Sequence, residues 1–237
     1  MRNADLRSSR LRERFDAILF ASQSRTSLLN GNQGEWHRPE HRGGIGTEGV
    51  QALAEFVQEG GTMVTLDAAC DFAIQELRLP VRNVLRGLSP SRFYCPGAIL
   101  GVTVDNRHPL AHGMAEQASA YFLNSAAFEL LPEPKDATAT VVARYPPGNP
   151  LQSGWIGGPD HLRDRAAVVE VTRGMGKVVL LGFRVQFRAQ PHGTFPLLFN
   201  ALFGAASGGA GAPPAAARPA PVPVPAARAR ASAPPPG

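Results

Sequence analysis

Cysteine and long apolar runs are scarce in this sequence. Cys70 and Cys95 are its two cysteines, which excludes a disulfide framework and a Cys-x-x-Cys metal site. No apolar run approaches the roughly 18 residues that a transmembrane helix needs. Residues 1–14 are charged and lack the apolar core of a signal peptide. We therefore expect a cytoplasmic protein, or a periplasmic or secreted one if the start is truncated and the parent protein carries a signal peptide.

Charge of either sign is also limited. The chain has 24 basic and 19 acidic residues, a net charge of +5. Three arginines lie near the C-terminus in a segment without acids, namely Arg218, Arg228 and Arg230. The rest of the chain therefore has a net charge of +2 (5 − 3). This excess is too small for a nucleic-acid-binding surface. We therefore expect neither a nucleic-acid partner nor a membrane span.

The C-terminal segment, residues 205–237, contains no acidic and no aromatic residue and consists almost entirely of Ala, Pro, Gly and Arg. Such a composition cannot bury enough apolar surface to offset the entropy of ordering the chain. We therefore predict an N-terminal extension over residues 1–14, one domain over residues 15–204 and a disordered tail over residues 205–237.

The pattern of apolar residues in the body predicts an α/β fold. Apolar runs at residues 17–20 and 63–66 flank a helical pattern that ends at Gly60, which is typical of a parallel strand–helix–strand unit. Residues 22–46 form a long polar, glycine-rich segment that predicts a loop. Further strands are predicted, with a tight hairpin at residues 174–176 and a closing apolar helix. We expect a central, mainly parallel sheet that includes residues 178–181, is flanked by helices and becomes more antiparallel in its second half.

The most informative motif follows the last predicted strand. Residues 185–187, Val-Gln-Phe, resemble the Val-Gln-Phe-His-Pro-Glu segment of class I glutamine amidotransferases, in which His and Glu complete a Cys-His-Glu triad. Here Arg188 stands at the position of the His and Gln190 at that of the Glu. Because arginine stays protonated, Arg188 cannot act as a general base.

Several short stretches in order along the body together resemble the amidotransferase-like, flavodoxin-like domain at the C-terminal end of bacterial zinc-carboxypeptidase-like proteins. They include SRTSLLNG at residues 24–31, GGIGTEG at 43–49, LPVRNVL at 79–85, FYCPG at 93–97, HPL at 108–110, SGW at 153–155 and QPHGTF at 190–195. The resemblance implies that a catalytic zinc domain, used in proteolysis, normally precedes this one. Its zinc ligands are not found here, so we expect no metal or cofactor in this chain. A peptidase domain or another protein is the implied partner.

Candidate site residues follow from the triad comparison. Cys70 comes shortly after a predicted strand, but its neighbours Ala69 and Asp71 are not the glycines of a nucleophile elbow. His192 lies just beyond the expected base. Both are weak catalytic candidates. His37 and His41 are four residues apart, but no third metal ligand is evident from spacing.

Five further residues are candidates for a ligand or interface site at the carboxyl edge of the sheet: Arg38, Arg42, Arg184, Arg188 and Gln190. Trp155 lies among glycines and is either an exposed docking residue or packed under its own loop.

Three functional hypotheses remain open. The first is a non-catalytic accessory domain that docks on a peptidase domain or another protein. The second is a cysteine-dependent amidase or hydrolase that uses Cys70 with His192. The third is a small-ligand-binding module at the arginine-lined edge of the sheet.

Overall fold

Ten strands of the chain form one sheet in the computed structural model, which describes residues 3–7, 10–32, 34–38, 42–132 and 134–207. The strands are β1 (Ala17–Phe20), β2 (Thr62–Leu66), β3 (Val81–Asn83), β4 (Ala98–Val104), β5 (Gln117–Phe122), β6 (Phe128–Leu130), β7 (Ala137–Arg144), β8 (Leu151–Gly154), β9 (Ala166–Arg173) and β10 (Gly176–Leu181). The α-helices are α1 (Leu11–Arg14), α2 (Arg25–Asn30), α3 (Gly46–Gln58), α4 (Cys70–Glu76) and α5 (Phe195–Ala206).

A parallel unit of three strands carries the candidate site. Strand β2 lies between β1 and β10 and pairs in parallel with both, with Met63 opposite Ile18 on one side and Val178 on the other. All five residues of β2 are buried, as expected for a strand that is covered on both faces. The prediction that these three apolar runs share one sheet is confirmed.

The second half of the sheet is antiparallel. Beyond β10 the order continues through β9, β7, β4 and β5, each antiparallel to its neighbour. The β9–β10 hairpin turns at Gly174 and Met175, as the sequence predicted, and Gly174 takes the left-handed conformation, with φ of 57°. The predicted fold class is therefore confirmed.

Helices cover both faces of the parallel strands. The apolar residues of α3 and α4 pack with Met63 and Val178 on one face, and those of α5 pack with Val64 and Val179 on the other. The opposite faces of β2 thus belong to two separate cores. Within the described ranges, no helix is long and apolar enough to cross a membrane.

The structure differs from the sequence prediction mainly outside the strands. The predicted loop at residues 22–46 contains helix α2, which is capped because the Ser24 side chain accepts a hydrogen bond from the Ser27 amide, and which buries Leu28. Leu6 and Leu11, in the predicted N-terminal extension, are buried in the core beside α3. Helix α5 continues to Ala206, two residues past the predicted domain end. The rest of the predicted tail, residues 208–237, lies outside the described residues.

Gly176 tests the packing at the start of β10. A Cβ atom there would lie 2.2 Å from the carbonyl oxygen of Val57 and 2.3 Å from that of Gly61, so Gly176→Ala must displace backbone. Overpacking of this kind costs about 1–3 kcal/mol or more. A chain of this size loses about 2–4 °C in Tm per kcal/mol, so we expect thermal unfolding to show a fall of about 2–12 °C in Tm. Gly148→Ala, where a Cβ atom meets nothing within 4 Å, is the matched control and should leave the Tm unchanged. Equal Tm values for the two variants would contradict this packing.

Candidate functional site

The strand-to-helix turn after β2 is made by Asp67. This residue follows Leu66 directly, has a φ of 51° and is only 2% exposed. Left-handed backbone is unfavourable for residues with a side chain, costing roughly 1–2 kcal/mol, although Asp and Asn tolerate it better than most. A short 3-10 turn, Asp67–Ala69, then leads into α4. The strained position of the turn therefore carries a carboxylate.

The Asp67 carboxylate joins the ends of all three parallel strands. Its Oδ2 accepts a hydrogen bond from Ser22 Oγ at 2.8 Å and another from Arg184 Nε at 3.0 Å. Ser22 comes just after β1 and Arg184 just after β10. In the described part of the chain, Asp67 Oδ1 is the one buried side-chain oxygen or nitrogen that lacks a hydrogen-bond partner. One carboxylate oxygen of Asp67 is thus hydrogen-bonded and the other is not.

Cys70 lies three residues beyond the turn and is fully buried. Its thiol is 3.4 Å from Thr65 Oγ1, which donates to it, and 3.5 Å from the carbonyl oxygen of Leu181. Burial raises the pKa of the Cys70 thiol far above its ordinary value, and the negative charges of Asp67 and Asp71 raise that pKa further. Such a thiol is a packing residue. Cys95 is also buried, and burial raises its pKa as well.

Two arginines and an aromatic ring form the other side of the site. The guanidinium carbons of Arg184 and Arg188 lie 5.5 and 5.3 Å from the centroid of the Phe187 ring, and this ring stacks on Tyr121 with a centroid separation of 4.7 Å. Arg188 has left-handed backbone, with φ of 50°. A cavity of about 220 Å³ lies between these groups and the turn. Its lining consists of Ser22, Leu66, Asp67, Arg184, Gln186, Phe187 and Arg188.

Two other candidates from the sequence lie in a different place. Gln190 and His192 line a separate depression beside β5. The Nε2 atom of His192 is 2.6 Å from the Ala189 carbonyl oxygen, and its exposed ring lies 5.1 Å from the ring of Phe195. The structure therefore places His192 at the surface and Cys70 inside the core.

The remaining arginine candidates belong to the segment before α3. Arg42 donates from Nε to the His37 carbonyl oxygen at 2.7 Å and from Nη2 to the Glu35 carbonyl oxygen. Its guanidinium group is therefore hydrogen-bonded to the backbone of its own loop. Arg38 is exposed in the same loop. The described lining of the cavity includes neither of these two residues.

The described ranges contain no group of three or more His, Cys, Asp or Glu residues that could hold a metal ion. His37 is exposed to an intermediate degree, and His41 lies outside the described residues.

The residues that sequence reasoning missed are Asp67 and Ser22. Their position in the sequence could have identified them, because Asp67 directly follows the apolar run that ends at Leu66 and Ser22 follows the run that ends at Phe20 after one further residue.

Comparison with known proteins finds similarity to solved structures alone. No protein-family model and no curated protein matches the sequence. A putative ThuA-like protein from Parabacteroides merdae aligns with a TM-score of 0.50 and 15% identity over 83% of this chain and 72% of its own. A putative GMP synthase component from Thermoplasma acidophilum aligns with a TM-score of 0.47 and 11% identity over 87% and 78%. A cytoplasmic protein from Salmonella typhimurium aligns with a TM-score of 0.47 and 17% identity over 84% and 78%.

The chain has a ThuA-like, class I amidotransferase-like α/β fold. At these identities the likeness concerns the fold alone, because one fold of this kind serves many functions. The resemblance to carboxypeptidase-associated domains stays a prediction.

The contact between Asp67 and Arg184 can be tested by a double-mutant cycle. Arg184→Met leaves the buried carboxylate without its cation and should cost about 3 kcal/mol, the lower end of the range for a broken buried pair, because the Arg184 side chain is 31% exposed. Asp67→Asn removes the charge, so the double variant should be more stable than the sum of the two single effects by about 1 kcal/mol or more. Chemical denaturation measures all four proteins. Exposed Arg188→Met is the control and should change stability little. Strictly additive effects would exclude the pair.

Proposed function

We propose that this chain is a non-catalytic accessory domain that uses an amidotransferase-like fold to dock on another protein. One observation carries the proposal: the turn that would present a nucleophile holds Asp67, hydrogen-bonded by Ser22 and Arg184, while Cys70 is enclosed in the core. Thiol chemistry requires a thiolate that the substrate can reach. Burial and a raised thiol pKa at Cys70 both oppose this requirement.

A general base is also missing from the place where the triad would need one. A base must lie within about 3 Å of the proton that it removes. Arg188 occupies the corresponding position in the sequence and keeps its own protons. His192 lines a depression at the surface, whereas the thiol of Cys70 is enclosed in the core. These facts favour the accessory role over the cysteine-dependent hydrolase.

An exposed pair of aromatic residues supports the docking role. Tyr94 and Trp155 are 41% and 57% exposed, and their rings meet edge to face with centroids 5.6 Å apart. The backbones of Tyr94 and Gly157 are joined by a β-bridge, which fixes the two loops relative to each other. Exposed aromatic residues on a rigid support are typical of the anchors of protein interfaces.

Both aromatic residues belong to stretches that carry the resemblance to carboxypeptidase-associated domains, at residues 93–97 and 153–155. We therefore propose a zinc-peptidase domain as the partner that covers the Tyr94–Trp155 pair. In this proposal any zinc and any proteolytic chemistry belong to the partner, and this chain binds no cofactor of its own.

The absence of catalysis is tested with the purified protein. We expect no hydrolysis of glutamine and no release of C-terminal residues from peptides, with or without added zinc. Glutaminase turnover that Cys70→Ala abolishes would contradict the proposal and favour the cysteine-dependent hydrolase. Turnover that survives Cys70→Ala but is lost in His192→Ala would reveal a different active site.

The docking surface is tested with a purified zinc-carboxypeptidase domain of the family that the sequence resembles. We expect a complex by analytical ultracentrifugation, weakened at least tenfold by Trp155→Ala, because a buried aromatic anchor carries a large share of interface energy. Trp36→Ala is the matched control, since Trp36 is 83% exposed and lies in a different loop. Equal weakening by both variants, or no complex at all, would contradict this partner.

A further inference from the structure

The cavity beside Asp67 combines three properties of a ligand site. It lies at the carboxyl ends of parallel strands, where ligands of open α/β sheets bind. Its volume of about 220 Å³ corresponds to about seven water molecules at ~30 Å³ each, the size of a small organic acid. It also adjoins a strained residue, since Asp67 has left-handed backbone. Strain of this kind is concentrated at functional sites.

The charges of the lining favour an anion. Arg184 and Arg188 contribute two positive charges and Asp67 one negative charge, a sum of +1 (2 − 1). The guanidinium carbons of Arg184 and Arg188 lie 5.5 and 5.3 Å from the centroid of the same Phe187 ring, and Asp67 is the one acid in the described lining of the cavity. Arg184 donates from Nε to Asp67, and within the described residues this is the one hydrogen bond that its guanidinium group makes. Guanidinium groups bind carboxylates through two parallel hydrogen bonds, which fits the donors that remain.

The unpaired oxygen of Asp67 requires a donor. Oδ1 is buried and has no partner among the described residues, although Oδ2 has two. A buried acceptor without a partner costs about 1–3 kcal/mol, more when it carries charge, so such atoms call for an explanation. A ligand that brings an N–H donor into the cavity would satisfy Oδ1, and a positively charged donor would do so best.

We propose that this cavity binds a small carboxylate that carries an ammonium group. The carboxylate lies between Arg184 and Arg188, and the ammonium group donates to Oδ1 of Asp67. Arg184 keeps its hydrogen bond from Nε to Oδ2 of Asp67, and the other donors of its guanidinium group bind the ligand carboxylate. This ligand role goes beyond the proposed docking function and does not depend on it, since the Tyr94–Trp155 pair and the cavity have no residue in common.

Matched pairs of small acids test the proposal by isothermal titration calorimetry at low salt and near-neutral pH. The probes are glycine against acetate, β-alanine against propionate, and 4-aminobutyrate against butyrate. At least one amino acid should bind tenfold or more tightly than its amine-free counterpart. Asp67→Asn should abolish this preference, and Arg188→Gln should weaken binding of both members of the pair about tenfold.

Arg107→Gln is the control, because the side chain of Arg107 is 92% exposed and does not line the cavity. Its affinity should equal that of the unmodified protein. Arg188 is exposed, so its variant remains informative even if Asp67→Asn is unstable. The proposal is overturned if none of the amino acids binds, if each pair binds equally, or if Arg188→Gln binds as tightly as the unmodified protein. The docking and glutaminase experiments remain interpretable in all of these cases.

Discussion

The buried carboxylate of Asp67 is the constraint on which the site depends. A charge removed from water must be paired and hydrogen-bonded, so the chain has to bring donors to it from elsewhere. Ser22 arrives from the end of β1 and Arg184 from the end of β10, and each can do so only if these strands flank β2 in parallel. The sheet order and the polar contact at its edge therefore support each other.

The parallel part of the fold could be predicted because its signal is local and strong. Strand β2 is apolar along most of its length, and the glycines before it mark the end of a helix. Helix α2 escaped prediction because its six residues carry little periodicity and depend on the Ser24 cap and on burial of Leu28. A polar segment with one buried leucine looks like a loop until the surface that buries the leucine is known.

The site was predictable only in part, because left-handed backbone conformations decide which side chains face it. Arg184 and Arg188 were singled out and do line one cavity, but Gln190 lies along another depression. Arg188 and Ala189 both take left-handed backbone, with φ of 50° and 53°, and the turn that they make precedes Gln190. Likewise, the triad comparison made Cys70 the weak candidate for the strand-to-helix turn after β2, whereas Asp67 makes that turn. Which residue bears the positive φ depends on tertiary contacts that residue spacing does not encode.

The reactivity of Cys70 is the most direct measure of whether this thiol belongs to the core. Native protein would be treated with iodoacetamide over a range of pH, and the modified peptides followed by mass spectrometry. We expect Cys70 to react only as fast as the protein unfolds, and at the ordinary rate of a thiol once denaturant is present. Rapid alkylation of native Cys70 near neutral pH would contradict this expectation, since that result requires an accessible thiolate at the edge of the sheet.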